Sequence, residues 1–111
     1  GPGFLEAVYQ ESLAIDFLDQ EIPFEREKEI CIFYKDNILD KYYKADFLCF
    51  GQIIVEPKAL SELSNDHISQ LLNYLKATKL RVGLLVYFGS PSLVYKQLIL
   101  YIHVNLCKFM D

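Results

Sequence analysis

The sequence contains no tryptophan, one methionine and only three cysteines, and none of its apolar runs approaches the length of a membrane-spanning helix. Three widely spaced cysteines are too few for a disulfide framework or a thiolate zinc site, so we expect reduced thiols in the core at Cys31, Cys49 and Cys107. An apolar segment of about 18 residues and a secretion signal are both missing from the sequence. We therefore expect a cytoplasmic protein with no membrane partner.

Positive charge is also scarce, because 11 Lys and Arg residues face 15 Asp and Glu residues and the formal net charge is −4. Proteins that hold nucleic acid by bulk electrostatics draw on clustered Lys and Arg, so any contact with nucleic acid must be local and metal-assisted. Apolar residues, in contrast, make up 52% of the 111 residues, and no long polar or Pro/Gly-rich stretch interrupts them. This composition predicts one globular domain over residues 1–111.

Two segments carry apolar residues at helical spacing. Residues 4–19 place Leu13 and Phe17 on one side of a predicted first helix. Residues 65–78 follow the i, i+3, i+4, i+7 pattern of a half-buried helix, and the polar residues that begin at Ser64 offer N-cap chemistry.

The other patterned segments are typical of strands, because they are short, alternating or β-branched, and bounded by turn residues. The predicted strands cover residues 27–34, 38–50, 53–55 and 80–88, with turns at 35–37, 51–52 and 89–91. Residues 93–109 fit either a strand or a helix. The order α-β-β-β-α-β contains a strand-helix-strand crossover and predicts an α/β fold with a mixed central β-sheet flanked by helices.

One strand carries the residues with the clearest chemistry. Side chains two apart in a strand point to one face, so Glu56 and Lys58 are neighbours, and Asp46 joins them if the preceding strand pairs alongside. Two close carboxylates repel each other, and a divalent cation such as Mg²⁺ or Mn²⁺ would relieve that repulsion through hard oxygen ligands. The pattern favours metal-assisted phosphodiester hydrolysis, with Lys58 orienting the nucleophile. An ordinary ion-pair cluster is the alternative that these residues leave open.

Both predicted helices point polar residues toward the same region. Glu6 lies on the stripe of Tyr9, Leu13 and Phe17, which should pack on the sheet. His67, Gln70 and Tyr74 form a polar ridge on the second helix, for which local packing and hydrogen bonding are the ordinary explanation. We therefore expect Glu6 and Gln70 at the rim of the cleft that holds Asp46.

Several motifs resemble one known family over nearly the whole chain, up to about residue 98. Gly3-Phe4-Leu5-Glu6-Ala7-Val8-Tyr9 resembles the signature of the GxxExxY proteins, a bacterial branch of the PD-(D/E)XK nuclease superfamily. Gln70-Leu71-Leu72-Asn73-Tyr74 resembles the Q-x-x-x-Y motif of RecB-like nucleases, and Val82-Gly83-Leu84-Leu85-Val86-Tyr87-Phe88-Gly89 resembles the closing strand of the family. The resemblance implies a restriction-endonuclease-like core.

The resemblance also implies roles for individual residues. Asp46 and Glu56 would bind Mg²⁺ or Mn²⁺, together with the backbone oxygen of Pro57, and Lys58 would be the catalytic lysine. Glu6 would support the metal or its waters. In the RecB-like motif, Gln70 and Tyr74 would orient the lysine or the nucleic-acid backbone. Pro57 departs from the aliphatic residue usual at its position and is awkward in a central strand, because proline removes a ladder donor.

Two functions follow as hypotheses. The first is a metal-dependent nuclease that hydrolyses nucleic acid, with DNA favoured as the substrate by kinship alone. The second is a catalytically weak or inactive nuclease-like fold that serves as a nucleic-acid- or protein-binding module. A homodimer is the base-rate expectation for the oligomeric state.

Overall fold

The structure is a computed structural model and describes residues 3–59 and 64–88 in full, and the backbone of residues 97–103. Cys107, the predicted turn at residues 89–91 and the ends of the ambiguous segment 93–109 lie outside the described residues. None of the described helices is long and apolar enough to cross a membrane.

Seven elements make up the described chain, and their order confirms the predicted α-β-β-β-α-β series with one more strand after it. They are α1 (Phe4–Asp19), β1 (Phe24–Tyr34), β2 (Asn37–Cys49), β3 (Ile53–Ala59), α2 (Asn65–Thr78), β4 (Val82–Phe88) and β5 (Gln97–His103). The strands form one sheet in the order β1-β2-β3-β4-β5. Only the β3–β4 pair among them is parallel, and α2 connects its two strands, so the sheet is mixed as predicted.

The two helices cover opposite faces of the sheet. The α1 core is the cluster of buried residues in which Leu13 and Phe17 of α1 pack with Phe47 and Val55 of the sheet. The α2 core is the cluster in which buried residues of the sheet pack with Leu71 of α2. Burying a large apolar side chain of this kind stabilises a fold by roughly 1.5–3 kcal/mol. This two-sided cover explains why residues 53–59 and 82–88 are apolar in nearly every position.

Aromatic packing fixes α1 on the sheet. The Tyr9 ring stacks on Phe88 of β4 with ring centroids 4.5 Å apart and planes 9° apart, and Phe17 meets Phe47 of β2 edge to face at 5.2 Å. These contacts hold both ends of the helix. Glu6 and Gln10 flank Tyr9 in sequence, so the same stacking places them over the sheet.

The ends of α2 explain why β4 begins two residues later than predicted. Ser64 caps the helix start, because its Oγ accepts a hydrogen bond from the Asp66 backbone N–H at 3.0 Å. Lys79 ends the helix in the left-handed conformation with a φ of 63°. The chain therefore needs residues 79–81 to leave the helix before β4 starts at Val82.

The sequence prediction also missed some strand bounds and one thiol. β1 begins at Phe24 rather than residue 27, because Phe24 pairs with Cys49 across the hairpin. β3 runs to Ala59 and so includes Glu56 and Lys58, which the sequence analysis had placed on one strand, and β4 pairs with it along its whole length. Cys49 is buried as expected, but Cys31 is exposed, because it lies on the strand at the edge of the sheet.

Leu71 of α2 packs directly on Gly83 of β4. A methyl group at Gly83 would lie 2.9 Å from Leu71 Cδ2, and Leu71 is only 1% exposed, so it has little room to move. We expect Gly83→Ala to lower the free energy of unfolding by about 1–3 kcal/mol in chemical denaturation. Gly3→Ala is the matched control, because its methyl group would meet nothing within 4 Å. Native stability in Gly83→Ala would show that Leu71 moves aside.

Candidate active site

Regular strand pairing is interrupted on both sides of Asp46. The register between β1 and β2 skips the level at which Asp46 faces Glu27, and Glu27 has a φ of 48°, in the left-handed region. On the other side of β2, the ladder with β3 ends at the Phe47–Val55 pair, one level before Asp46 and Glu56 would pair. Asp46 therefore lies in an opening between strands, where its side chain is not fixed by a regular ladder.

The segment Glu56-Pro57-Lys58 forms the other wall of this opening. These residues keep their parallel pairing with β4 but have no pairing with β2. Glu56 is 8% exposed, Pro57 is fully buried and Lys58 is half-buried. The strand thus continues through Pro57, although proline is awkward in a central strand. It is tolerated here because β3 has a strand partner on only one side at this point.

Asp46 and Glu56 share the same charged neighbours. Burial raises the pKa of both carboxyl groups, the Lys58 ammonium acts to lower each pKa, and the Glu6 carboxylate acts to raise each one. A charge that acts on both groups must lie close to both. The structure therefore places Glu6 and Lys58 within electrostatic range of both Asp46 and Glu56.

Two further residues at this place were missed by the sequence analysis. The Glu27 carboxylate raises the pKa of Asp46, and a side-chain hydrogen bond from Gln10 lowers it. Gln10 lies one helical turn after Glu6, and that spacing was a usable signal. Glu27 gave no such signal, because it faces Asp46 only through the register shift of the β1–β2 hairpin between Cys31 and Phe33.

The ridge on α2 has a different environment. Gln70 is exposed, and His67 and Tyr74 are half-buried. The Tyr74 ring stacks on Tyr43 with centroids 3.9 Å apart and planes 19° apart, at the edge of the α2 core. Packing accounts for the position of Tyr74, and a substrate-orienting role for Gln70 and Tyr74 stays a prediction.

The donor set can be tested for its fit to a metal. Among the described residues, no group of three or more His, Cys, Asp or Glu side chains is arranged to hold an ion. Two carboxylates, from Asp46 and Glu56, and the carbonyl oxygen of Pro57 are the hard donors at the opening. Mg²⁺ commonly takes one or two carboxylates and keeps several waters, so this set fits Mg²⁺ or Mn²⁺ and excludes a fully protein-ligated site such as structural zinc.

The raised pKa values of Asp46 and Glu56 set the sign of a pH dependence. A carboxyl group with a folded pKa above its unfolded value holds its proton more tightly in the fold, so its ionisation opposes folding. The ordinary values are 3.8 for Asp46 and 4.5 for Glu56, and both are raised. At a pH below the ordinary pKa values, both carboxyl groups are protonated and their ionisation does not destabilise the fold. The free energy of unfolding of the metal-free protein should then fall as the pH rises through the raised pKa values of Asp46 and Glu56.

This dependence can be measured as the melting temperature over a pH series in the presence of a chelator. The double variant Asp46→Asn/Glu56→Gln should show a shallower decline than the native protein over that interval. Parallel curves for the two proteins would contradict the assignment of the decline to this pair.

Comparison with known proteins bears on the family and the fold. The sequence model of the PD-(D/E)XK nuclease superfamily matches residues 1–104. No curated protein matches the chain. Among solved structures, the crystal structure of SSO0001 superposes with a TM-score of 0.66 and 19% identity, covering 94% of this chain and 53% of that one. An alkaline exonuclease from Laribacter hongkongensis superposes with a TM-score of 0.59 and 10% identity, covering 90% of this chain and 56% of that one.

These likenesses support the fold. At 19% and 10% identity they establish a shared chain topology and no shared residue roles. The chain spans about half the length of each of the two solved structures.

Proposed function

Because the chain belongs to the PD-(D/E)XK nuclease superfamily, we propose that it is a divalent-metal-dependent nuclease whose active site is the opening around Asp46. The observation that carries this proposal is that Asp46 and Glu56 adjoin the point where the β2–β3 ladder ends, and Lys58 and Glu6 act on the pKa of both. Burial and repulsion together make their ionised forms unfavourable without a cation, which is the condition under which a metal ion binds well.

In this proposal, Asp46, Glu56 and the Pro57 carbonyl oxygen hold Mg²⁺ or Mn²⁺. When bound, the metal would supply a water of lowered pKa and would neutralise charge on the phosphate. Lys58 projects from the same face of β3 as Glu56, so its ammonium is placed to orient the attacking water and to stabilise negative charge developing on phosphate oxygens. Hydrolysis forms a bond between water oxygen and phosphorus and breaks one phosphoester bond.

Glu6 would act from α1 by accepting hydrogen bonds from waters on the metal. It is half-buried and close enough to raise the pKa of both Asp46 and Glu56. Gln70 and Tyr74 would contact the nucleic-acid backbone from α2, and the exposure of Gln70 is compatible with that role. The segment from Gly3 to Tyr9 supports placing the chain in the GxxExxY branch of the superfamily.

The proposed substrate is nucleic acid, with DNA favoured. One fold neighbour is an alkaline exonuclease, and the Q-x-x-x-Y resemblance points to RecB-like nucleases. The net charge of −4 argues against strong binding to the phosphate backbone in the absence of metal. We therefore expect both binding and cleavage to depend on the divalent ion.

A second candidate function is a nuclease-like module that binds nucleic acid or protein without cutting. The observation that favours it is the lack of a metal-binding group of three side chains among the described residues. The test is to incubate the protein with single- and double-stranded DNA and RNA in Mg²⁺, in Mn²⁺ and in excess chelator. Cleavage of at least one polymer that stops with chelator supports the nuclease. Binding without cleavage under every condition supports the module.

A further inference from the structure

A chain of hydrogen bonds links β1 to β2 through α1. Arg26 Nη2 donates to Gln10 Oε1 at 2.7 Å, and the Gln10 side chain lies close enough to Asp46 to lower its pKa as a hydrogen-bond donor. A guanidinium only donates and a carboxylate only accepts, so the amide nitrogen of Gln10 must face Asp46 and its oxygen must face Arg26. The orientation of the Gln10 amide is therefore determined at both ends.

This series of hydrogen bonds reaches Asp46 at the point where the sheet constrains the Asp46 side chain least. The β1–β2 register skips the level of Asp46, and the β2–β3 ladder ends one residue away at Phe47. The direction of the Asp46 side chain therefore depends on partners outside the ladders. Gln10 is half-buried and lies next to Tyr9, whose stacking on Phe88 holds α1 in place, so the amide comes from a rigid element.

We propose that Gln10 is a positioning residue, whose amide holds the Asp46 carboxylate toward Glu56 and Lys58, and that Arg26 fixes the amide in the orientation this requires. The inference rests on the proposed metal-binding role of Asp46. Outer hydrogen bonds to ligating carboxylates commonly orient the ligand in this way. Arg26 is exposed on the edge strand and acts through Gln10 rather than on the site itself.

The first test is direct binding of Mn²⁺ by titration calorimetry. Gln10→Met removes both hydrogen bonds at nearly constant size and should weaken Mn²⁺ binding about tenfold. Arg26→Met should also weaken binding, although by less. Weaker Mn²⁺ binding in Arg26→Met would be informative, because the loss of a nearby positive charge would by itself strengthen the binding of a metal ion.

Coupling between the two residues gives a second readout. If Arg26 acts through Gln10, the double variant should bind Mn²⁺ no more weakly than Gln10→Met alone. Gln20→Met is the matched control, because Gln20 is exposed at the far end of α1, and it should bind like the native protein. Native affinity in Gln10→Met would overturn the proposal. Additive losses, or tighter binding in Arg26→Met, would overturn the role of Arg26.

A metal-independent readout separates this inference from the proposed function. In NMR spectra of metal-free protein, the side-chain amide signals of Gln10 should shift in Asp46→Asn and in Arg26→Met. If the native protein binds no Mn²⁺ but these signals shift as expected, the proposed function fails and the hydrogen-bonded arrangement stands. Unchanged Gln10 signals in both variants would overturn the arrangement itself.

Discussion

Glu56→Gln is expected to abolish cleavage while making the metal-free protein more resistant to heat. The substitution removes a proposed metal ligand. Loss of a single group that helps to stabilise charge in the transition state lowers the rate at least about 100-fold. Stability should change in the opposite direction, because Glu56 is 8% exposed and burial raises the pKa of its carboxyl group. A neutral amide of the same shape removes the unfavourable buried charge.

The measurement pairs a cleavage assay with the melting temperature in excess chelator, so that bound metal does not stabilise the native protein alone. Glu11→Gln is the matched control, because Glu11 is exposed on α1, and neither quantity should change in it. A variant that loses activity and melts at a lower temperature would indicate that Glu56 supports the fold. A variant that still cleaves at the native rate would remove Glu56 from the site.

Lys58→Met should lose cleavage by roughly 10²–10³-fold and yet bind Mn²⁺ at least as tightly as the native protein. The Lys58 ammonium lies close enough to Asp46 and Glu56 to lower the pKa of both, so it repels a cation that binds between them. Removing it lowers that repulsion while it takes away the charge proposed to stabilise the transition state. The opposite signs of the two effects separate a catalytic lysine from a structural one.

Calorimetric titration with Mn²⁺ and a cleavage time course on the same preparation check this prediction. Lys41→Met is the matched control, since Lys41 is exposed on β2 and five residues from Asp46 along the strand, and it should behave as native. Weaker Mn²⁺ binding in Lys58→Met would show that the lysine shapes the metal site. Unchanged cleavage would show that it takes no part in the reaction.

The parts of the site that follow from strand geometry could be predicted from the sequence. Alternation places Glu56 and Lys58 on one face whatever the tertiary structure, and a hairpin partner brings Asp46 alongside. The same local rules predicted both helices, because each has a regular apolar stripe, and α2 also has a capping serine.

The parts that depend on irregular structure could not be predicted. Glu27 faces Asp46 only because the β1–β2 register shifts between Cys31 and Phe33, and no sequence pattern marks that shift. The spacing of Gln10 from Glu6 could have marked Gln10 as a neighbour of the site, but its orientation by Arg26 of β1 depends on how α1 packs on the sheet. The segment at residues 97–103 was ambiguous since an apolar run without a clear period fits a strand or a helix, and only its antiparallel pairing with β4 decides for the strand.

The most direct test of the proposed metal site is the position of a metal ion in crystals soaked with Mn²⁺, located by its anomalous scattering. We expect one peak in the opening of the sheet, coordinated by an oxygen of Asp46, an oxygen of Glu56 and the carbonyl oxygen of Pro57. We also expect the peak to be lost in Asp46→Asn/Glu56→Gln. A peak bound elsewhere, or none at saturating Mn²⁺, would contradict the account.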